Sequence, residues 1–322
     1  MNSPKVSVIV TVFHRTEFLK EALESALHQT FQDFEIIVTD DSRSSAIREI
    51  VDSFGSDKMR YRSNAETLGV ALNLRAAVSE AGGKYIAVLN DDDSWEPSFL
   101  EKLVAPLEED SRRVLAFSDH WLVDGGGEIQ FPETDANSRT FGRAALSMGE
   151  VPDLTDLVLI DNGVPLAMAA VFRVDAIEWE RVVSAVSGAY DYWISFLLAA
   201  SGGKAWYVPQ RLTRYRVHAA METGRRAPDK QEHLVYIYRT LLDTRTFPHR
   251  AALLRQRLAA ALYAVGKDNL LFDHARAARS YLRRSLGVAF KPRTLAFLCL
   301  SCCPTVLRSR AVARLQTDVS SH

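Results

Sequence analysis

Short apolar runs alternate with helical patterns along about the first ninety residues of the chain. Val6–Val12 is apolar and rich in valine, which is typical of a strand buried on both faces. Thr16–His28 instead repeats its apolar residues at helical spacing. Further strands are predicted at Phe34–Thr39, Met59–Arg62 and Tyr85–Leu89, and further helices at Ser45–Phe54 and Ala71–Ala81. This alternation predicts an α/β fold with a mostly parallel central sheet flanked by helices.

The pattern becomes less regular after about residue 115. Strands are predicted at Val171–Arg173, Ala205–Val208 and Leu212–His218, a helix at Tyr190–Ala200, and a strand with a hairpin at Leu115–Phe117, Trp121–Val123 and Ile129–Phe131 around Gly125, Gly126 and Gly127. Beyond Pro228 the predicted elements are all helices: Lys230–Thr244, Arg250–Val265, His274–Gly287 and Thr294–Leu315. We therefore expect a domain at 1–224, a linker near Gly224–Pro228 and a helical C-terminal region at 228–322.

Polar clusters follow three of the predicted strands, at Thr11 to Arg15, Asp40 to Ser42 and Asn90 to Asp93. Ligands bind beyond the carboxyl ends of strands in such sheets, so the three clusters are expected to share one crevice. The last cluster holds three adjacent carboxylates, which repel one another unless a cation lies between them. Mg²⁺ or Mn²⁺ suits such oxygen ligands. The alternative is a solvated acidic turn ahead of a helix that begins near Pro97.

The amino-acid composition is typical of a soluble globular protein and argues against some other classes. Apolar residues make up 47% and charged residues 25%, as in ordinary soluble domains, and the net charge of −1 predicts no nucleic-acid partner. The clustered Cys299, Cys302 and Cys303 suggest a reducing compartment and are expected to be small residues of a buried helix rather than zinc ligands. The absence of a signal-peptide pattern, and an apolar run at Thr294–Leu307 that is too short for a bilayer, predict a cytoplasmic protein.

Two nucleotide-using classes lack their motifs. No Gly-x-Gly-x-x-Gly follows Val12, which argues against a dinucleotide-dependent dehydrogenase. Thr11–Thr16 contains no glycine, which argues against the phosphate loop of a nucleotidyltransferase.

Several motifs occur together in one order. They are Val6-Ser-Val-Ile-Val-Thr-Val-Phe-His-Arg15, Gln29-Thr-Phe-Gln-Asp-Phe-Glu-Ile-Ile-Val-Thr-Asp-Asp-Ser42, Leu68-Gly69, Gly83-Lys-Tyr-Ile-Ala-Val-Leu-Asn-Asp-Asp-Asp-Ser-Trp95, Tyr190-Asp-Tyr-Trp193 and Tyr215-Arg-Val-His218. With these motifs, residues 5–220 resemble the family 2 glycosyltransferases, which are inverting enzymes with the GT-A fold. The resemblance implies a nucleotide-diphosphate sugar as donor.

The resemblance also implies roles for individual residues. Asp40 would accept a hydrogen bond from a uracil or thymine base, although it could also cap a helix. Asp92 would bind Mn²⁺ or Mg²⁺ together with His218, and Arg216 would bind phosphate from the same strand face, unless His218 is a simple surface residue. The remaining residues assigned to the donor are Thr11, Phe13, Arg15, Asn90 and Asp91.

Asp191 is the candidate general base that activates the acceptor hydroxyl, with helix N-capping as the alternative. Trp95 and Trp193 are candidate contacts for an acceptor, with core packing as the alternative. The acceptor could be a glycan, a lipid-linked glycan or a small molecule.

Three positions depart from the family pattern: Thr67 stands where an asparagine often precedes Leu-Gly, Asn90 replaces the first aspartate of Asp-x-Asp-Asp, and Tyr190 replaces an acidic residue. The last two departures keep open an alternative, a GT-A protein that binds nucleotide sugars without turning them over.

The stretch 276–315 carries nine Lys and Arg residues and no acidic residue. Basic residues among apolar ones suit peripheral contact with the inner face of a membrane. The alternative is a helical cap with its arginines in solvent.

Overall fold

The computed structural model describes residues 3–218, 228–272 and 274–303. The chain divides into two compact units, 1–225 and 226–322. The first unit contains a mixed sheet, and the second is helical.

Within the described residues, the sheet of the first unit has nine strands. They are β1 (Val6–Val12), β2 (Phe34–Asp40), β3 (Met59–Ser63), β4 (Tyr85–Asn90), β5 (Ser94–Trp95), β6 (Arg113–Val123), β7 (Gly149–Glu150), β8 (Ala170–Arg173) and β9 (Lys204–Arg216). All seven residues of β1 are buried, as its valine-rich sequence predicts. The strand order is β3-β2-β1-β4-β8-β6-β9-β5, and β7 pairs with β9.

Strand direction determines which strand ends meet. Strands β1 to β4 are parallel, whereas β8 is antiparallel to both β4 and β6. Strand β9 is parallel to β6 and so runs in the same direction as β1 and β4. The carboxyl ends of β1, β2, β4 and β9 therefore lie along one edge of the sheet. The predicted mostly parallel sheet is confirmed.

Helices cover the sheet. In the first unit they are α1 (Leu19–Leu27), α2 (Ser45–Ser53), α3 (Val70–Val78), α4 (Phe99–Glu109), α5 (Phe131–Thr140), α6 (Leu154–Asp156), α7 (Leu166–Ala169) and α8 (Tyr190–Ala200). Helix α1 buries Leu19, Ala22, Leu23 and Ala26 in the main core, so the apolar stripe of its sequence faces the sheet. Helix α8 has the bounds that its sequence predicts.

The predicted hairpin after residue 115 is present only in part. Residues 113–123 form the single strand β6, and the expected return strand is reduced to one bridge between Val123 and Ile129. Phe131 begins helix α5, whose start is favoured by a proline in the first turn. The two strands expected near the end of the domain are likewise one strand, β9, and its pairing with β6 is irregular around Asp119.

The second unit consists of α9 (Pro228–Asp243), α10 (Ala251–Leu271), α11 (Ala275–Val288) and α12 (Pro292–Cys302). Helices α10 and α11 approach closely at Gly266, where an added Cβ would lie 2.8 Å from Leu282. Residues 304–315 of the predicted last helix lie outside the described residues. In the part of the chain that the structure describes, no helix is both long and apolar enough to cross a membrane.

The expected burial of the cysteines was wrong. Cys299 and Cys302 are exposed, and Cys303 is half-buried. The helix that carries them buries Thr294 and Ser301 instead. Composition alone does not show which face of a short helix is covered.

Candidate active site

The three carboxylates lie in a short connection at the carboxyl edge of the sheet. Asp91, Asp92 and Asp93 join β4 to the two-residue strand β5, and they are 3%, 8% and 1% exposed. Strand β5 pairs with β9, so the connection is held between two strand ends. The acidic turn is therefore enclosed by protein and is not a solvated surface turn.

Asp93 ties this loop to its neighbours. Its Oδ1 accepts the main-chain N–H of Arg216 over 3.0 Å, and its Oδ2 accepts the side-chain amide of Asn90 over 2.8 Å. Burial, and next the charge of Asp92, raise the pKa of Asp93 well above its usual range. Asp93 thus anchors the loop, and Asn90, which was assigned to the donor, donates its side-chain amide within the protein.

Asp92 and His218 meet at the mouth of the loop. Oδ2 of Asp92 lies 3.2 Å from Nε2 of His218, and each side chain is 10% exposed. An Mg²⁺ ion holds its ligands octahedrally at about 2.1 Å, so adjacent ligands lie about 3 Å apart. An oxygen and a nitrogen at this spacing fit two neighbouring positions on such an ion: a carboxylate suits Mg²⁺ or Mn²⁺, and a neutral imidazole is a common metal ligand. Among the described residues no group of three or more such side chains is suited to a metal, so the pair would leave positions for other ligands.

Arg15 supplies the positive charge next to these carboxylates. Its guanidinium forms ion pairs with Oδ1 of Asp91 and, over 2.8 Å, with Oδ2 of Asp92. Burial raises the pKa of Asp91 to about 6 even though the adjacent arginine opposes the rise. The predicted convergence of the first and third polar clusters is therefore present in the fold.

Arg216 has a different position from the one predicted. Its side chain is 3% exposed, it pairs with Glu21 over 2.6 Å, and its Nε donates to the carbonyl of Asp92 over 3.1 Å. The guanidinium also lies 4.5 Å from the ring of Phe18. Arg216 therefore braces the acidic loop from inside, and its contact with phosphate stays a prediction. Strand β9 ends at Arg216, so His218 lies beyond the shared strand face.

The second polar cluster forms an enclosed turn. Asp40 is 0% exposed. Its Oδ1 accepts the N–H and hydroxyl of Ser42, and its Oδ2 accepts the N–H of Ser44 and the hydroxyl of Tyr61, over 2.6–2.8 Å. Burial acts against the charged form, but these four donors outweigh it and hold the pKa of Asp40 below its usual value. The expected direct bond from Asp40 to a base does not fit this arrangement, because both oxygens are already engaged.

Thr11 and Phe13 flank the same edge. Thr11 pairs in register with Asn90 and with Thr39 and is 8% exposed, whereas Phe13 is 50% exposed. An aromatic ring exposed beside a polar crevice is suited to stack on a planar ligand. The assignment of both residues to a base remains a prediction.

Asp41 connects this edge to the segment ahead of α8. It accepts the N–H groups of Leu68 and Gly69 over 2.8 and 2.7 Å. Gly69 has a φ of 80°, and an added Cβ would lie 2.9 Å from the hydroxyl of Ser187. Ser187 belongs to the 3₁₀ helix Ser184–Ala189, which leads directly into α8. A chain of contacts thus runs from the end of β2 to the start of α8.

Asp191 occupies the first turn of α8 and is partly exposed. The residue preceding the helix is Ala189, so the alternative in which Asp191 is the helix N-cap was wrong. A carboxylate in the first turn is stabilised by the positive end of the helix dipole. Its role as a base remains a prediction.

The two tryptophans assigned to an acceptor are core residues. Trp95 is 5% exposed, stacks on Phe99 and donates to the carbonyl of Met168 over 2.7 Å. Trp193 is 1% exposed and donates to the carbonyl of Arg181 over 2.7 Å. Both indoles are enclosed and hydrogen-bonded within the protein, which favours the alternative of core packing, and an acceptor contact stays a prediction.

Sequence reasoning missed Phe18 and Glu21 of the first helical segment. The ring of Phe18 lies 5.1 Å from that of His218, and Glu21 accepts from both Arg216 and Ser94. The available signal was the position of Glu21 in the first turn of the helix that follows β1. Its partner Arg216 is about two hundred positions away, so the sequence did not show the pair.

Comparison with known proteins agrees with the fold and the motifs. Residues 7–155 match the model described as glycosyl transferase family 2. An uncharacterised glycosyltransferase of Rickettsia prowazekii is 26% identical over 223 residues, which are 69% of this chain and 67% of that protein. The putative glycosyltransferase EpsE of Bacillus subtilis is 34% identical over 137 residues, 41% of this chain and 46% of that protein.

Two solved structures share the fold. Staphylococcus aureus TarS 1–349 in complex with UDP-GlcNAc has a TM-score of 0.64 at 16% identity, covering 96% of this chain and 88% of that one. The mannosyltransferase PcManGT of Pyrobaculum calidifontis, in complex with GDP-Man and Mn²⁺, has a TM-score of 0.55 at 18% identity, covering 97% of this chain and 84% of that one. The expected GT-A fold is confirmed.

Proposed function

Since the chain carries a glycosyl transferase family 2 domain at residues 7–155 and has the GT-A fold, we propose that it transfers a sugar, with inversion, from a nucleotide-diphosphate donor to an acceptor hydroxyl. The observation that carries the proposal is the Asp92–His218 pair, 3.2 Å apart at the carboxyl edge of the sheet. In an open α/β sheet this edge is where ligands bind.

The proposed donor is of the UDP or dTDP type. TarS is a relative in fold whose structure contains UDP-GlcNAc, and its TM-score exceeds that of the GDP-Man complex of PcManGT. Thr11 and the exposed ring of Phe13 would contact the base. Asp40 would act indirectly in this proposal, by holding the turn after β2 in place.

Asp92 and His218 would hold a divalent cation, Mn²⁺ or Mg²⁺. When bound, such an ion offsets the negative charge that develops on the departing diphosphate. Arg15 lies 2.8 Å from the same carboxylate and would add a second positive charge to the diphosphate. Asp93 and Arg216 would keep Asp92 in position from below.

Asp191 would remove the proton from the acceptor hydroxyl as that oxygen attacks the anomeric carbon. An inverting displacement needs one such base on the acceptor side, and a positioned base contributes about 10²–10⁴-fold in rate. The contacts from Asp41 through Gly69 and Ser187 support this placement, because they hold the start of α8 near the donor edge. The acceptor would be a glycan, a lipid-linked glycan or a small molecule.

The test is a panel of UDP-, dTDP- and GDP-sugars incubated with the full chain and Mn²⁺, with release of nucleoside diphosphate as the readout. We expect release from a UDP- or dTDP-sugar that stops when Mn²⁺ is chelated, and none from Asp92→Asn. Glu109→Gln, at an exposed carboxylate on α4, is the matched control. Donor binding by calorimetry without any release, across a panel of acceptors, would instead favour a binding protein.

Part of the second unit supports a proposed contact with an anionic membrane. Arg276, Arg283, Lys291 and Arg293 are exposed, and Phe290 beside them is 69% exposed. Each cation facing an anionic leaflet contributes roughly 1 kcal/mol, and the contribution falls with salt. We expect the protein to sediment with phosphatidylserine liposomes at low salt, and the triple exchange of Arg283, Lys291 and Arg293 to Gln to reduce this binding. Equal sedimentation of the two proteins would exclude this surface.

A further inference from the structure

Arg15 reaches the acidic loop from the turn that follows β1. His14 has a φ of 62°, and the N–H of Arg15 donates to the carbonyl of Phe13 over 2.8 Å. A left-handed non-glycine residue in a three-residue turn is uncommon and redirects the chain sharply. The side chains of Asp91 and Asp92 are 2% and 10% exposed, whereas that of Arg15 is 33% exposed. Arg15 is thus the solvent-reaching partner of two enclosed carboxylates.

The two carboxylates bind different parts of the guanidinium. Asp91 accepts hydrogen bonds from Nη2 and Nε, whereas Oδ2 of Asp92 forms an ion pair with Nη1 over 2.8 Å. That Oδ2 atom is also the one that lies 3.2 Å from His218. Oδ2 of Asp92, the oxygen suited to a metal ion, is therefore already paired with the guanidinium of Arg15. The contacts between Arg15 and Asp91 do not involve that oxygen.

We propose that Arg15 is an exchangeable counter-cation, which disfavours a divalent ion at Asp92 and His218 until a nucleotide diphosphate gives Arg15 another anionic partner. The inference rests on the metal site proposed above and goes beyond it by making metal binding conditional on nucleotide.

Charge is the physical reason for this exchange. Without nucleotide, an incoming divalent ion must displace Nη1 from Asp92 and then remain a few Å from an arginine of like sign, in a site largely closed to solvent. With nucleotide, the freed Nη1 can bind a phosphate oxygen, while Asp91 retains the rest of the guanidinium. Arg15 then attracts the diphosphate instead of repelling the ion. Nucleotide and metal ion should consequently strengthen each other's binding by the same factor.

The experiment measures Mn²⁺ binding to the full chain by electron paramagnetic resonance of the free ion, with and without UDP. In the wild type we expect UDP to lower the Kd for Mn²⁺ by about tenfold or more. Arg15→Met keeps the aliphatic stem and removes the charge, and it should bind Mn²⁺ without UDP about tenfold more tightly than the wild type. UDP should then strengthen its Mn²⁺ binding by a smaller factor.

Two variants control for other effects of the substitution. Arg15→Lys keeps the charge and should bind Mn²⁺ without UDP as weakly as the wild type. Arg60→Met removes an arginine of strand β3 that pairs with Glu35 and Glu80, and it should leave Mn²⁺ binding unchanged. Circular dichroism verifies folding, and Arg15→Gln replaces Arg15→Met if the latter is unfolded.

Two results would contradict the inference, and they differ in what they overturn. If the wild type binds Mn²⁺ only with nucleotide and the uncharged Arg15 variant behaves identically, the exchange is wrong and the metal site stands. If the wild type binds no Mn²⁺ with UDP or GDP, the metal site itself is wrong, and the inference fails with it.

Discussion

The main-chain N–H of Arg216 donates to Oδ1 of Asp93 over 3.0 Å, which ties the last strand of the sheet to the acidic loop. The two residues are separated by more than a hundred positions, and both are nearly inaccessible to solvent. Neighbouring carboxylates of the acidic loop therefore have different roles. Asp93 faces inward and holds the loop, whereas Asp92 faces His218.

This division predicts different effects for two neighbouring substitutions. Asp93→Ala leaves the N–H of Arg216 and the amide of Asn90 without their acceptor, so the free energy of unfolding should fall by about 1–3 kcal/mol. Asp92→Ala also removes repulsion between adjacent carboxylates and should cost less stability, yet it should abolish Mn²⁺ binding. Urea denaturation and Mn²⁺ titration of both variants provide the comparison. Equal stability losses would mean that the loop has no inward anchor at Asp93.

A second prediction concerns Asp40, whose role should be to stabilise the turn after β2 rather than to bind a nucleobase. Asp40→Asn replaces one acceptor oxygen by a donor that faces existing donors, so we expect a loss of about 1–3 kcal/mol in the free energy of unfolding. The ratio of UDP to GDP affinity, measured by calorimetry, should be the same as in the wild type. A selective loss of UDP affinity in a stable variant would restore the direct contact between Asp40 and the base.

The sequence was sufficient where one segment alone determines the element. The buried valine-rich run Val6–Val12 and the helix Tyr190–Ala200 were predicted with their observed bounds. Strand β6 was predicted in two pieces because polar residues interrupt its apolar pattern. Asp119 in that gap is buried because Arg143, from a distant segment, pairs with it over 2.9 Å.

In the site, too, contacts made by distant segments could not be predicted. Polar residues after buried strands correctly predicted that Arg15 and the acidic loop converge. The partners of Asp40 and Arg216 could not be predicted, because Tyr61 and Glu21 are unremarkable in their own segments. A pattern locates a side chain at an edge of the sheet, but only the packed fold shows whether protein groups already occupy its hydrogen-bonding positions.

Glu108 provides a pH-dependent prediction at the opposite end of the sheet. Hydrogen bonds from Lys5, Lys84 and Tyr85 lower the pKa of Glu108 from its ordinary 4.5 to about 2. The folded protein thus keeps this carboxylate charged at a pH where the unfolded chain takes up a proton. Its contribution to stability is present above pH 4.5 and is lost as the pH falls towards 2.

Glu108→Gln should therefore be less stable than the wild type at pH 7, and the difference should shrink as the pH falls through this window. Urea denaturation at several pH values measures it. Glu109→Gln, at the neighbouring carboxylate that pairs with Arg113, is the control and should show a smaller difference at pH 7, because that side chain is 67% exposed. A stability difference for Glu108→Gln that is constant with pH would contradict the linkage.

Asp191 gives the prediction that bears most directly on catalysis. Asp191→Asn keeps the shape of the side chain in the first turn of α8 but removes its ability to take a proton. Turnover should fall by about 10²-fold or more, because a positioned base contributes about 10²–10⁴-fold. Donor affinity should be nearly unchanged, since the proposed donor contacts come from β1 and the acidic loop rather than from α8. Asp175→Asn, at a surface turn after β8, is a matched control that should keep full turnover.

Steady-state kinetics and donor calorimetry separate the outcomes. If donor affinity and turnover both collapse in Asp191→Asn, Asp191 is a donor-binding or structural residue. If turnover is lost while donor affinity is intact, Asp191 is a base that acts on the acceptor.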